Sequence, residues 1–435
     1  MTARMIESGG RLRRALLGTT AIAVLTTSLV GLAPTAVAAD ARSQQWYLDA
    51  MGAEDIWRKS TGRGITVAVI DSGVDPDTPS LKGKVLKGWD ASESNGDETN
   101  DYRGHGTSIA ELIVGSGAQG GIRGLAPDAR VIPYRVSDTE LQNEQAVNAF
   151  DFSEAIKAAA DSDAQIINIS WGSEYYHEES REALQYAHAK GKLIFAASGN
   201  DAKKGNKKHY PAAYPEVVAV AATTRSGVVA DYSQHGDYID LAAPGSQIPG
   251  YCDKSLTKYC LSDGTSNSTA LASASAALIW SLHPDWTGSQ VLRVMFESAG
   301  RGDDWKPGTV STKAGHGVVR PNAHINRGIG KPGDPNISPL TNMPTGVAAD
   351  GGKPPSTTAS AGVPSGSAAP SATASTQAPD GKQTSGAPVA GSNGSAAEDA
   401  DGGGSTGLVI GIAAAAVVVV AAAGVVIARR RRATA

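Results

Sequence analysis

A buried β-strand is predicted by the stretch at residues 65–74, which reads Ile65-Thr66-Val67-Ala68-Val69-Ile70-Asp71-Ser72-Gly73-Val74. Its first six residues are mostly apolar and β-branched, which favours an extended segment inside a sheet. Asp71 comes next, so a carboxylate stands at the end of the strand with apolar bulk behind it. Such an acid can hold an imidazole in one tautomer, and it can equally cap the turn before Gly73.

Further strands are predicted by four short apolar runs, at residues 131–136, 165–170, 192–197 and 217–221. Helical spacing occurs between them, at Phe152–Asp161 and Glu179–Lys190. Strands that alternate with helices predict an α/β fold, with a mostly parallel sheet flanked by helices on both faces. In such a sheet the working residues gather beyond the carboxyl ends of the strands. The polar residues that follow the strands are therefore the candidates for chemistry.

His105 and Ser266 both have settings that suit catalysis. His105 has a glycine on each side, which lets a substrate approach, and histidine is the usual general base for a serine. Ser266 follows Asp263-Gly264-Thr265 and begins a helical run of small residues. A serine there has free backbone N–H groups and the positive end of the helix dipole beside it, although a plain helix N-cap has the same pattern.

Asn200 ends the stretch Ala196-Ala197-Ser198-Gly199-Asn200, just past a predicted strand. Its side-chain amide is able to donate to an oxyanion that forms during acyl transfer. The alternative interpretation is an asparagine that only forms a turn.

Together these segments resemble the signature segments of the subtilisin family of serine peptidases, in the family's order Asp, His, Asn, Ser. The resemblance covers about residues 45–325. Its matching segments are Val69–Gly73, His105–Thr107, Ser198–Asn200 and Gly264–Ser266, with further matches at Asn168–Gly172, Tyr210–Ala212 and Ala243–Gly245.

The resemblance implies a role for each of these residues and a protein or peptide substrate, with no cofactor. Ser266 would attack the scissile carbonyl, His105 would carry the proton and Asp71 would orient His105. Asn200 and the Ser266 N–H would bind the oxyanion. An edge formed by Ser170, Trp171 and Gly172 would pair with an extended substrate and border the first specificity pocket. Trp171 would narrow this pocket or form its floor.

Two residues depart from the family pattern. Asn267 follows the serine where a small or apolar residue is usual, and Ala270 stands where the family has a proline. A proline early in a helix mainly pre-sets backbone angles, so its loss need not abolish activity. Asn267 and Ala270 therefore affect how accurately the Ser266 hydroxyl is positioned for attack.

Both ends of the chain carry targeting signals. Residues 1–38 have the basic start, apolar run and small-residue site of a signal peptide, with an uncleaved anchor as the alternative. The predicted peptidase domain at 39–332 is followed by a disordered linker rich in Ala, Ser, Thr, Pro and Gly at 333–405. A transmembrane helix is predicted at 407–428, with a buried core helix as the alternative, and a basic cytoplasmic tail at 429–435.

The predicted location is therefore the cell membrane, with a single span and the peptidase domain outside. With the early Gln44-Gln45-Trp46-Tyr47-Leu48 stretch, and with too few residues between Ala39 and Asp71 for a folded inhibitory propeptide, this plan resembles the mycosins. These are the membrane-anchored subtilisins of type VII secretion systems.

The resemblance implies a secretion membrane complex as partner, and it raises the alternative of a structural component with little or no proteolysis. An esterase using the same residues is a weaker alternative, because the substrate edge favours a peptide.

Composition limits the remaining possibilities. The formal net charge of -4 gives no basic field for nucleic acid. The two cysteines, Cys252 and Cys260, form no metal-binding pattern, and an extracytoplasmic location favours a disulfide between them over two free thiols. No metal site is predicted, since the acidic stretch at 90–101 lacks regular calcium-ligand spacing.

Overall fold

The computed structural model describes residues 41–92, 95–136, 149–302, 305–306 and 308–345. The predicted signal peptide, the transmembrane helix, the basic tail and residues 346–405 of the predicted linker lie outside these ranges. No helix within the described ranges has the length and apolar character that crossing a bilayer requires.

The described residues form nine strands, eight α-helices and three short 3-10 helices. The strands are β1 (Thr66–Asp71), β2 (Trp89–Asp90), β3 (Arg130–Arg135), β4 (Ile166–Ile169), β5 (Leu193–Ala197), β6 (Val218–Thr223), β7 (Leu241–Pro244), β8 (Ile248–Tyr251) and β9 (Tyr259–Ser262). The helices are α1 (Trp46–Met51), α2 (Ala53–Trp57), α3 (His105–Val114), α4 (Ala149–Asp161), α5 (Glu178–Ala189), α6 (Thr265–Leu282), α7 (Gly288–Ser298) and α8 (Pro321–Arg327).

Seven strands form one sheet in the order β2-β3-β1-β4-β5-β6-β7, and every neighbouring pair is parallel. β8 and β9 form a separate antiparallel hairpin. The predicted α/β fold with a mostly parallel sheet is confirmed. The chain extends from β1 first toward β3 and then, through β4, in the opposite direction. β1 and β4 therefore flank the position where the winding reverses, which is where ligands bind in open α/β sheets.

Helices cover both faces of the sheet. On one face α3 and α6 pack on strand residues such as Val67, Val69 and Phe195. On the other, α4 and α5 pack on residues such as Ile70, Ile167 and Ile194. α6 is buried from Thr265 to Trp280, and most of its residues there are alanine, serine or threonine. Small side chains let this helix lie close to the sheet, which brings its first turn to the ends of the central strands.

The folded body continues to residue 345, so the predicted boundary at 332 is too early. Thr287 Oγ1 donates to the Pro335 carbonyl oxygen (3.2 Å), and Arg293 Nη2 donates to the Ile337 carbonyl oxygen (3.2 Å). The Ser338 side chain is buried. The segment is held largely through its backbone carbonyls, a contact that its polar, proline-containing composition does not reveal.

Candidate active site

Asp71 and His105 are brought together at the carboxyl end of β1. His105 Nδ1 lies 2.7 Å from Asp71 Oδ1, which also accepts the Ser72 N–H at 2.7 Å. The Asp71 side chain is buried, whereas that of His105 is 48% exposed and so is open to a substrate. Desolvation lowers the pKa of His105, but the charge and hydrogen bond of Asp71 and the charge of Asp101 outweigh it and raise that pKa overall.

Asp101 holds the loop that presents His105, a role that the sequence analysis missed. Its Oδ2 accepts the N–H and the hydroxyl of Thr107 (2.8 and 2.6 Å), and its Oδ1 accepts the Gly104 N–H (2.8 Å). The carboxylate thus satisfies free N–H groups at the start of α3. Burial raises the pKa of Asp101 against these hydrogen bonds. An acidic residue just before a helix start is a capping signal that was available in the sequence.

The acidic stretch around Asp101 is held by protein groups. The fully buried Arg135, at the end of β3, donates to Asp90 Oδ2 (3.0 Å) and to the Asn95 carbonyl oxygen (3.0 Å). Lys87 pairs with the buried Glu98 at 2.6 Å. Over the part of the chain that the structure describes, no three His, Cys, Asp or Glu side chains are grouped as metal ligands.

Ser266 is the second residue of α6, at the same edge of the sheet. Its Oγ donates to the Ser170 carbonyl oxygen at 3.1 Å. None of the hydrogen bonds among the described residues joins Ser266 to His105. The structure therefore contains the contact between Asp71 and His105, while the Ser266 hydroxyl donates to the Ser170 carbonyl oxygen and not to His105. Catalytic hydrogen bonds are often long or absent in enzymes without substrate, so this geometry is compatible with a nucleophile.

Asn200 lies beside the first turn of α6. Its Oδ1 accepts the N–H and the hydroxyl of Thr265, at 2.9 and 3.0 Å. An ideal Cβ on Gly264 would lie 3.8 Å from the Ser266 backbone nitrogen and 3.9 Å from Asn200 Nδ2. Asn267 Nδ2 lies at the same distance of 3.9 Å, so these three nitrogen atoms border one small space, which stays open because residue 264 has no side chain.

A cavity of about 420 Å³ borders Ser170, the carbonyl partner of Ser266. It is lined by Asp71, Ser72, Arg103, His105, Val136, Ser170 and Trp171. Trp171 lies in this cavity, with its ring 5.0 Å from that of Phe152. We call it the His105-side cavity.

Gly172 and Gly199 both lie close to His209. An ideal Cβ would lie 3.8 Å from His209 Cβ if placed on Gly172, and 2.6 Å from His209 Nδ1 if placed on Gly199, where Gln234 Oε1 would be nearer still at 1.6 Å. None of Gly172, Gly199 and His209 lines the His105-side cavity. The sequence predicts the first specificity pocket beside Gly172 and did not single out His209, which nothing local marks. Trp171, also expected at that pocket, lines the His105-side cavity.

The β8–β9 hairpin runs from the sheet to α6 and carries the disulfide Cys252–Cys260. It packs on the His105 loop, because an ideal Cβ on Gly104 would lie 2.8 Å from Tyr251 Cβ. Asn267, one of the departures from the family pattern, donates to Ser262 Oγ of this hairpin at 3.2 Å. Ala270 is fully buried.

A parallel α/β sheet with an aspartate–histidine pair at its carboxyl edge, and a serine at the start of the central helix, is the architecture of a serine hydrolase. The family model described as the subtilase family matches residues 62–317. The chain belongs to the subtilase family, and it is a serine-type endopeptidase.

Curated relatives agree with this assignment. Thermitase of Thermoactinomyces vulgaris is 31% identical over 276 residues, which are 62% of this chain and 94% of thermitase. The thermophilic serine proteinase of Bacillus sp. (strain AK1) is 34% identical over 226 residues, which are 52% of this chain and 54% of that protein. Subtilisin E of Bacillus subtilis (strain 168) is 32% identical over 239 residues, which are 53% of this chain and 59% of that protein.

Solved structures include several mycosins. The MycP3 protease from the type VII (ESX-3) secretion system has a TM-score of 0.57 and 29% identity, covering 68% of this chain and 90% of that one. MycP1 from Mycobacterium smegmatis has a TM-score of 0.54 and 27% identity, covering 64% and 84%. The resemblance to subtilases, and within them to mycosins, is confirmed.

Proposed function

We propose that this chain is a membrane-anchored, extracytoplasmic endopeptidase that cleaves secreted or surface proteins with Asp71, His105 and Ser266. The observation that carries the proposal is the 2.7 Å contact between His105 Nδ1 and the buried Asp71 carboxylate. This contact leaves the other ring nitrogen, Nε2, available as a base for a hydroxyl. The stretch at 407–428 supports the membrane anchor by its apolar length.

Catalysis begins when Ser266 exchanges the Ser170 carbonyl for His105 as its hydrogen-bond acceptor. His105 Nε2 takes the hydroxyl proton while Oγ attacks the peptide carbonyl, and the negative charge moves to the carbonyl oxygen. The Ser266 N–H and Asn200 Nδ2 donate to that oxygen. His105 then gives its proton to the leaving amine. A water molecule takes the place of the amine, and His105 removes its proton as it attacks the acyl carbonyl. His105 finally returns that proton to Ser266 Oγ, which releases the acid product.

The test is the paired substitution of two serines in α6. Ser266→Ala is expected to abolish peptide cleavage and labelling by an organophosphonate, because the nucleophile is gone. Ser268→Ala is the matched control, since Ser268 Oγ is buried and donates to the Ala243 carbonyl oxygen away from the proposed chemistry. Labelling that persists in folded Ser266→Ala would refute the assignment of the nucleophile.

We further propose an association with a type VII secretion complex, supported by the similarity to MycP3 and MycP1. The alternative is a structural component of that complex whose proteolysis contributes little. Complementation of a deletion strain distinguishes them. Secretion restored by wild type but not by Ser266→Ala supports a proteolytic role. Full restoration by both supports the structural role, and unimpaired secretion in the deletion strain removes the association altogether.

A further inference from the structure

The His105-side cavity contains one cationic side chain among the described residues, that of Arg103. Arg103 precedes His105 by two positions and is exposed. Its backbone N–H donates to Asp101 Oδ1 (3.1 Å), but its guanidinium has no hydrogen bond or ion pair with any described residue. Asp71 and His105 are the other ionisable groups that line the cavity, and they are hydrogen-bonded to each other. The guanidinium is therefore available to a ligand.

The Arg103 charge acts on the catalytic end of this cavity. It lowers the pKa of His105, as desolvation does, while Asp71 and Asp101 raise it. The guanidinium thus lies close enough to His105 to change the pKa of its imidazole. The backbone of a bound substrate has to pass beside this imidazole.

A substrate in extended conformation would place successive side chains on opposite sides of its backbone. The side chain whose own carbonyl is attacked is expected beside Gly172, which lies near His209 and does not line the His105-side cavity. The preceding side chain would then point the other way, toward His105 and into the His105-side cavity. The His105-side cavity and the region beside Gly172 therefore contact different residues of the substrate.

We propose that Arg103 makes this chain select substrates with an acidic side chain, Asp or Glu, immediately N-terminal to the residue whose carbonyl is attacked. The inference rests on the proposed peptidase function and adds a substrate class to it. Val136 and Trp171 line the same cavity. They would contact the methylene groups of a glutamate while its carboxylate met the guanidinium, a geometry that allows two parallel hydrogen bonds.

The test compares three peptides that are identical except for Glu, Gln or Lys at this position, cleaved by the full-length chain. An exposed ion pair changes an equilibrium by up to about five-fold, so kcat/KM is expected to favour Glu over Lys by on the order of ten-fold. Arg103→Gln is expected to bring the ratio close to one, and Arg103→Glu to reverse it. The ratio is taken within each variant, so a general change in activity does not affect it.

Arg130→Glu is the matched control, because it makes the same change of charge at a distant site. Arg130 is exposed and begins β3, at the amino edge of the sheet, opposite to the active site. This variant is expected to keep the wild-type ratio. A wild-type ratio near one, or an unchanged ratio in Arg103→Glu, would overturn the role of Arg103, and a reversed ratio in Arg130→Glu would show that the effect is only one of net charge.

A binding experiment that needs no turnover separates this inference from the proposed function. Fluorescence anisotropy gives the Kd of the three labelled peptides for full-length Ser266→Ala, with and without Arg103→Glu. Glu-selective binding without cleavage by wild type supports the role of Arg103 and refutes the peptidase function. Cleavage without Glu selectivity refutes the role of Arg103 alone, and the absence of both binding and cleavage overturns both.

Discussion

Asn200 uses the two ends of its side-chain amide for different purposes. The oxygen anchors the start of α6 through Thr265, and the nitrogen borders the space beside Gly264. Replacing the residue by alanine would remove both contacts at once and confuse an effect on catalysis with an effect on the fold. A variant that keeps only the oxygen is the cleaner probe.

Asn200→Asp is expected to fold and to lose turnover by at least about 10²–10³-fold, the magnitude known for removal of the corresponding donor in subtilisin. The carboxylate still accepts from Thr265, but it provides no N–H for the oxyanion and adds a repelling charge. Steady-state kinetics and thermal unfolding check this together. Near-normal kcat in a folded Asn200→Asp protein would exclude Asn200 from the oxyanion site.

His105 sets the expected pH dependence of catalysis. It acts as a base only when neutral, and its pKa is raised, so kcat/KM should increase with pH through a limb above the ordinary histidine value of 6.5. Arg103→Gln removes a charge that opposes protonation and should move this limb to higher pH, whereas Arg103→Lys should leave it in place. The measurement is a pH profile of kcat/KM, and a shift to lower pH in Arg103→Gln would contradict the assignment.

At the scale of elements, α3 and the β8–β9 hairpin meet at a buried carboxylate, Glu111. Its oxygens accept hydrogen bonds from Tyr259 Oη (2.7 Å), Thr78 Oγ1 (3.0 Å) and Tyr251 Oη (3.1 Å). The negative charge of Glu111 also acts on the hydroxyl of the buried Tyr47, on α1. Burial raises the pKa of Glu111 from its ordinary 4.5 to about 7, against the effect of these hydrogen bonds. This cluster ties the helix that begins with His105 to the hairpin that leads to Ser266.

The contribution of Glu111 to the stability of the protein should therefore fall as the pH rises from about 4.5 to about 7, whereas half-buried His316, whose pKa is lowered by burial to about 4, contributes with the opposite sign. In that range the folded chain binds a proton at Glu111 that the unfolded chain has released, so the stabilisation is complete only at lower pH. Glu111→Gln should remove this contribution, which amounts to a change in the free energy of unfolding on the order of 3 kcal/mol between pH 4.5 and pH 7. Denaturant unfolding at several pH values measures it.

Asp240 provides the comparison, because burial also raises its pKa to about 7. Asp240→Asn should independently remove a second contribution of the same sign to the pH dependence of stability, and the double variant should lose both contributions. A slope in Glu111→Gln equal to that of wild type would mean that Glu111 does not titrate in this range.

At the scale of the whole molecule, the folded body ends later than composition indicates. Gln290 Nε2 donates to the Gly333 carbonyl oxygen (3.3 Å), in addition to the contacts of Thr287 and Arg293 with this segment. A chain that ends at residue 332 loses all three hydrogen bonds, and one that ends at 345 keeps them.

Truncation after 332 should lower the free energy of unfolding by about 2–3 kcal/mol relative to truncation after 345, at roughly 1 kcal/mol for each hydrogen bond. Both truncated chains lack the proposed anchor and should appear in the medium, whereas the full chain should sediment with membranes. Denaturant titration and cell fractionation are the measurements. Equal stability of the two truncated chains would show that residues 333–345 contribute nothing to the fold.

The sequence by itself determined the α/β class and predicted Asp71, His105 and Ser266 as the catalytic residues, because both follow from local patterns. An apolar strand that ends in Asp71, a histidine between glycines, and a serine at the head of a helix are each readable within about ten residues. The tertiary structure alone decided which distant groups meet. It placed Ser266 on the Ser170 carbonyl, Arg103 in the His105-side cavity and residues 333–345 against α7. These contacts join segments that are far apart in the chain, and packing, which no local pattern encodes, determines them.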